Sequence, residues 1–438
     1  MLLKNITAIC IFSIAAINMA CAQTIQTIDS NTLQRMQWFK DARLGIFIHW
    51  GIYAVDGVSE SWSFYNGYLS HDDYMKQCKG FTANKYNPTQ WADLIKQSGA
   101  RYAVLTAKHH DGVALWDTKQ QGLSVVKNTP AKRDLIGPYI DALRNLNIKT
   151  GLYYSLIDWS HPDYDIFTRT QKRYTNDSLR WKKFTGFYQA QLQELSTKYN
   201  PDLYWFDGDW EHTAAEWQAD KVRKMLMYYN KNVIINSRLT NHGDYATPEQ
   251  GVPIQIPKDY YWELCYTMND SWGYQPNDTH YKSCNQILNV LVDCIYKGGN
   301  LLLDIGPKAD GTIDEKQKQL LVDVGRWTKK HEAAVFGTLP GINTEYCMYP
   351  TALSADSNML YVFVSGKPAS VYIKGLNNKV HRAYVLGQGT MLSYDIFGKA
   401  YWNKKPGMLS INLPQQLCDN EITVIAILLD GPVSLYND

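Results

Sequence analysis

Between about residues 30 and 338, short apolar runs alternate with longer stretches whose apolar positions recur at helical spacing. The short runs are LGIFIHW (44–50), YAVLTAK (102–108), KTGLYYS (149–155), DLYWFD (202–207), VIINS (233–237), YYWELC (260–265) and NLLLDIG (300–306). Several are apolar almost without interruption, as parallel strands buried on both faces must be. The segments 87–100, 135–147, 181–199 and 315–335 read as amphipathic helices. In 87–100, a Pro-Thr start precedes Trp91, Leu94 and Ile95 on one side. Repeated β-then-α order over this length predicts a (β/α)8 barrel rather than an open sheet. Seven strands are found where eight are required, so either the barrel is irregular or one strand escapes the pattern.

From Leu339 onward the period changes to two. The segments 359–365, 370–376, 382–388, 392–398, 409–414 and 422–430 alternate with turn residues. This predicts an all-β C-terminal sandwich over 339–438. A small sandwich after a barrel is more often a buttress than a sugar-binding module.

The first residues, MLLKNITAICIFSIAAINMACAQ, carry one Lys, an apolar run from Ile6 to Ala20, and Ala20-Cys21-Ala22. This is the pattern of a signal peptide over 1–22, giving an exported protein with a barrel over 23–338. The apolar run is short for a transmembrane segment and no second one follows. Lipid attachment at Cys21 is the lesser alternative, because Asn18 stands where a Leu is wanted.

Composition then narrows the partners. The formal charge is only +2 and no Lys/Arg stripe forms, which excludes nucleic acid. Aromatic content is 13%, with 31 Tyr and 14 Trp, which suits either aromatic cores or stacking on sugar rings. The six Cys after the signal lack C-x-x-C spacing, which argues against a zinc site.

Barrel chemistry sits at the C-terminal ends of strands. There the sequence offers His49 and Trp50, then His109, His110 and Asp111, then Tyr153, Tyr154 and Asp158, then Asp207, Arg238 and Glu263. The histidines raise a metal site, but barrel metallohydrolases place an H-x-H pair on the first strand and here only His49 is present. Imidazoles donating to sugar hydroxyls fit better, with Trp50 and Trp205 as stacking surfaces.

Four acids crowd DLYWFDGDWEH (202–212). Strand side chains alternate, so Leu203, Trp205 and Asp207 share one face. Asp202 lies at the N-terminal end, while Asp209 and Glu211 fall in the loop, as rim acids near the leaving group or solvent. Asp207 alone is both on the Trp205 face and at the catalytic tip. Arg238 on the next strand would keep it ionised. A retaining glycosidase needs a second carboxyl ~5–5.5 Å away. The candidates are Glu249 in the loop GDYATPEQG and Glu263 within strand six, the latter reading more naturally as a buried structural acid.

The motifs WFKDARLGIFIHWGIYAV, KHHDGVALWDT, GLYYSLIDW, DLYWFDGDW, NSR, YWELCYTMNDSWGY and KGGNLLLDIGPKADGTI together resemble glycoside hydrolase family 29, the retaining α-L-fucosidases, over about residues 30–340. The resemblance implies release of terminal α-L-fucose from fucosylated glycans, with no metal or organic cofactor. It implies Asp207 as nucleophile, and Glu249 as acid/base with Glu263 as fallback. His49, His109, His110, Tyr154, Trp205 and Arg238 would contact the sugar, and Trp272 would line a pocket for its C5-methyl. Many members carry adjacent Glu-Trp after the first strand. Here Ser61 separates Glu60 from Trp62, so Trp62 keeps that role and the contact of Glu60 near C3 and C4 stays open. Hydrolysis of another galacto-configured glycoside, or sugar binding without catalysis, are the alternatives. Leaving-group preference would be set by loops such as 160–180 and 210–220. The sequence leaves a homo-oligomer open.

Overall fold

The computed structural model describes residues 30–255 and 261–437; the expected signal peptide lies outside them. Seven parallel strands form one sheet: β1 (Leu44–Ile48), β2 (Tyr102–Lys108), β3 (Lys149–Ser155), β4 (Leu203–Asp207), β5 (Ile234–Ile235), β6 (Glu263–Thr267) and β7 (Asn300–Ile305). Their order is β5-β4-β3-β2-β1-β7-β6. The two sequence ends of this series, β1 and β7, are therefore neighbours, and the sheet curls upon itself.

Between the edge strands β5 and β6 lies the segment 244–250. Ser237 N donates to Tyr245 O (2.8 Å) on one side, while Glu263 N donates to Ala246 O (2.9 Å) and Gln250 N to Cys265 O (3.0 Å) on the other. The segment makes isolated parallel bridges at Tyr245, Ala246 and Glu249 rather than a continuous ladder. It links the two edges of the seven-stranded sheet. Its Thr-Pro-Glu-Gln-Gly text has no alternating apolar pattern, and Pro248 cannot donate to a ladder.

Side-chain alternation sorts the sheet into two cores. Outward-facing Ile46, Ile48, Leu105, Leu152, Tyr154, Tyr204, Phe206, Leu301 and Leu303 pack under the helices. These include α2 (Pro88–Gln97), α3 (Ile136–Asn145), α4 (Ser178–Tyr199), α5 (Ala219–Tyr229), α6 (Cys284–Tyr296) and α7 (Glu315–Lys330). Inward-facing Phe47, Tyr102, Val104, Tyr153, Leu203, Trp205, Ile234, Cys265 and Leu302 form a separate cluster. Met36, Phe39 and Ala42 of α1 (Ser30–Ala42) join that inner cluster and plug the end opposite the strand tips. Each such fully buried side chain contributes roughly 1.5–3 kcal/mol.

Beyond α7 the chain builds a six-stranded and a three-stranded antiparallel sheet. Besides the expected strands, Leu339–Pro340 and Thr351–Leu353 extend the larger sheet. The strand Met359–Ser365 is buried on both faces. Leu360, Val362 and Val364 meet the smaller sheet, while Tyr361 and Phe363 belong to the core under α7. Trp327 of α7 donates its indole N–H to Ile422 O (2.8 Å), which ties the two regions together as a buttress would. The six cysteines of the described residues are all free. No described helix is long and apolar enough to cross a membrane.

Candidate active site

At the C-terminal ends of the strands a cavity of about 180 Å³ opens. Phe47, His49, Glu60, Trp62, His109, Tyr153, Trp205, Asp207, Trp210, Arg238, Glu249, Cys265 and Trp272 line it. Asp207 ends β4, and Gly208 follows with φ +82°, a left-handed turn in which a Cβ would meet Ile157 at 2.7 Å. The turn stops the strand with the Asp207 carboxylate at the cavity floor.

Asp207 Oδ1 accepts from Arg238 Nη1 at 3.0 Å, and Oδ2 accepts from Tyr153 Oη at 3.0 Å. The same guanidinium donates from Nη2 to Glu249 Oε2 at 2.7 Å. Its plane lies over Trp205, 4.7 Å from the ring centroid. Burial opposes the Arg238 charge, but Asp207 and Glu249 outweigh it and hold the guanidinium firmly protonated. Two carboxylates thus sit on the two terminal nitrogens of one fork.

The three imidazoles are each fixed from behind. His49 Nδ1 lies 2.7 Å from Asp304 Oδ1, His109 Nδ1 lies 2.6 Å from Ser61 Oγ, and His110 Nδ1 lies 2.6 Å from Ser155 Oγ. The β2–β3 ladder skips a residue between Thr106 and Lys108, the kind of bulge that re-aims side chains. His109 then stacks on Tyr153 (centroids 5.6 Å, 8°), and His110 Nε2 comes within 3.7 Å of Asp207 Oδ2. Burial pushes His49 and His109 well below the ordinary imidazole range, and His110 down to about 3. All three are neutral hydrogen-bonding groups at neutral pH.

Despite the intervening Ser61, Glu60 and Trp62 both line the cavity. Glu60 adopts φ +35° and its Oε1 accepts from Gly273 N at 2.7 Å. Burial raises its carboxyl to about 7. Trp272 packs beside His49 (centroids 5.0 Å) and Phe47 (6.1 Å), making an apolar corner.

Several sequence expectations are corrected. Tyr154 is absent from the cavity: its hydroxyl donates to Gln191 Oε1 of α4 at 2.8 Å, on the outer face. Tyr153 takes the place, because it is registered with Trp205 across β3 and β4. Glu263 also lies outside the cavity. It is buried beneath Trp205, accepting from the Trp205 indole (2.9 Å) and from Tyr102 Oη (2.5 Å). Trp50 alternates away from His49 and packs among Phe81, Tyr86 and Trp91. Of the two rim acids, Asp209 accepts from Thr240 N (2.6 Å), and Glu211 is held by Tyr164 Oη and Trp159 Nε1. Asp202 does sit at the strand start, bonded to Thr150 and Lys149. Tyr153 stood among the strand-tip candidates but was passed over for Tyr154 as the sugar contact; Phe47, Trp210 and Cys265 escaped sequence reasoning.

A family model described as Alpha-L-fucosidase matches residues 12–333. The chain belongs to the alpha-L-fucosidase family, glycoside hydrolase family 29. It is 31% identical to the tissue alpha-L-fucosidase of Mus musculus over 428 residues, covering 89% of this chain and 90% of that one. Alpha-L-fucosidase isoenzyme 1 from Paenibacillus thiaminolyticus superposes with a TM-score of 0.84 at 33% identity, covering 92% of this chain and 100% of that one. A Bacteroides thetaiotaomicron enzyme trapped as a covalent intermediate with 2-fluoro-fucosyl fluoride superposes with a TM-score of 0.80 at 26% identity, covering 91% and 96%. A covalent intermediate is the mark of a retaining mechanism in that enzyme, and this chain is an alpha-L-fucosidase of the same family.

Proposed function

We propose that the protein releases terminal α-L-fucose by double displacement, with Asp207 as nucleophile and Glu249 as acid/base. One observation carries the assignment: both carboxylates are bound by the terminal nitrogens of Arg238 at the floor and lip of one aromatic cavity. Oxygens held by one guanidinium fork are close enough for the ~5–5.5 Å spacing of retaining enzymes. In the first step an Asp207 oxygen bonds the anomeric carbon, the glycosidic C–O bond breaks, and Glu249 gives its proton to the departing oxygen. In the second, Glu249 takes a proton from water, the water oxygen bonds the anomeric carbon, and the ester to Asp207 breaks. Both displacements invert, so the product retains its configuration.

The neutral histidines and Glu60 suit the ring hydroxyls. The corner of Phe47 and Trp272 suits an apolar C5-methyl rather than a hydroxymethyl, which favours fucose over other galacto-configured sugars. The frame we infer is an eight-staved (β/α)8 barrel in which 244–250 is the irregular stave, followed by a β-sandwich from Leu339. Export rests on the leader-like residues 1–22.

Asp207→Gly should lose activity by orders of magnitude, and azide should rescue it to give a fucosyl azide of inverted configuration. Near wild-type turnover in that variant would sink the nucleophile assignment. Glu249→Ala should cripple substrates with poor leaving groups while largely sparing activated aryl fucosides.

A further inference from the structure

A second cavity, of about 340 Å³, lies on the same end of the sheet. Its walls come from the segments that follow β3 and β4: Asp165, Tyr174, Asn176 and Trp181 on one side, His212 and Glu216 on the other. The short turn Asp209–Glu211 connects the walls of the two cavities. Trp210, half exposed, lines the first, and His212, two residues on, lines the second. Adjacent Cα atoms are ~3.8 Å apart, so neighbouring residues of one ridge serve both walls.

That ridge is firmly held. Glu211 accepts from Tyr164 Oη and Trp159 Nε1, and Trp217 donates its indole N–H to Asp209 O at 3.0 Å. Trp210 stacks parallel to Trp62 at 6.2 Å, which continues the aromatic wall of the first cavity towards the second. In the second cavity, Trp181 lies over His212 (centroids 4.0 Å), and His212 Nε2 is 3.0 Å from Asp165 Oδ1. Among the described residues, the lining contains no Lys or Arg. Arg180 lies 4.3 Å from the Tyr174 ring centroid, but its guanidinium is engaged by Asp163 and the Pro162 carbonyl, and the lining carries the carboxylates of Asp165, Asp177 and Glu216, which disfavours a phosphorylated, sulfated or otherwise anionic ligand. Aromatic rings for C–H faces, beside carboxylates and an amide for hydroxyls, are instead what a neutral sugar requires.

We infer that this second cavity binds neutral sugar residues of the leaving group, two or more units removed from the fucose held in the first. The inference rests on the function proposed above. It makes the protein an enzyme of extended fucosylated oligosaccharides, with Trp210 as the step between the two sites. The cavity would act on the sugar chain that leaves and not on the bond that breaks.

The test compares an aryl α-L-fucoside with the best-cleaved member of a set of fucosylated oligosaccharides whose leaving group has at least three sugars. Two variants are used. Trp181→Ala removes the stacking face. Ser178→Tyr fills the cavity from an exposed position at the start of α4 and takes away no packing, so it remains informative if Trp181→Ala folds poorly. Loss of a stacking contact of this kind should lower kcat/KM for the oligosaccharide about tenfold, while aryl fucoside hydrolysis stays within about twofold of wild type. Equal effects on both substrates, or none on either, would overturn the subsite and leave the fucosidase reading intact. Failure of the wild type to cleave the aryl fucoside would overturn both.

Discussion

Replacing Glu263 by Gln separates a structural carboxyl from a catalytic one. Glu263 lies beneath Trp205 and accepts hydrogen bonds from Trp205 and Tyr102, and burial raises it from the ordinary 4.5 to about 7. A carboxyl that is raised in the folded state keeps its proton there after the unfolded chain has released it. Its contribution is complete below pH 4.5, declines between 4.5 and about 7, and is gone above that. At ~1.36 kcal/mol for each pH unit, the decline amounts to about 3 kcal/mol. Glutamine copies the protonated carboxyl and does not titrate. The variant and wild type should therefore melt at similar temperatures at pH 4.5, and the variant should melt higher at pH 8. Thermal midpoints across this range measure the gap, and activity on aryl and oligosaccharide fucosides should stay within a few-fold of wild type. Parallel melting profiles would refute the buried-proton argument. A loss confined to substrates with poor leaving groups would make Glu263, not Glu249, the proton donor.

Other outcomes follow from the same geometry. Tyr153→Phe removes a donor to a charged group, worth ~1.5–3 kcal/mol, and should slow turnover tenfold or more with little change in melting temperature. Tyr154→Phe should do the reverse, leaving kcat/KM intact while lowering stability by about 1 kcal/mol through the lost bond to Gln191. Ser61→Ala leaves the buried His109 Nδ1 without its 2.6 Å partner and should raise KM for aryl fucosides; an unchanged KM would show that Ser61 does not set the imidazole. Because His110 stays neutral down to about 3, the acid limb of the kcat/KM profile should not move in His110→Asn, even though activity falls.

How far the sequence could be read depended on whether a signal was periodic. The apolar strands and the long helices announced themselves, and side-chain parity together with strand polarity singled out Asp207 from its neighbours in the chain. The same parity, applied to β3, would have chosen Tyr153 over Tyr154, and applied to β1 would have turned Trp50 outward. The family resemblance pointed to Tyr154 where alternation should have decided. The segment 244–250, which bridges β5 and β6, was invisible because it pairs through isolated bridges and contains Pro248. The segments around the second cavity were named as loops 160–180 and 210–220, but the meeting of Asp165, Trp181 and Glu216 depends on how those segments fold against the start of α4, which leaves no period in the chain.

The uneven backing of the two carboxylates has a mechanical consequence. Asp207 stands on a strand laddered to β3 along its length, whereas Glu249 rides a stretch pinned at a few points. Thermal breathing should therefore move one and spare the other, with amide hydrogens in 247–251 exchanging faster than those in 203–207. A nucleophile must hold its line to one carbon, but a group that first gives a proton and then takes one from a different molecule gains from a looser mounting.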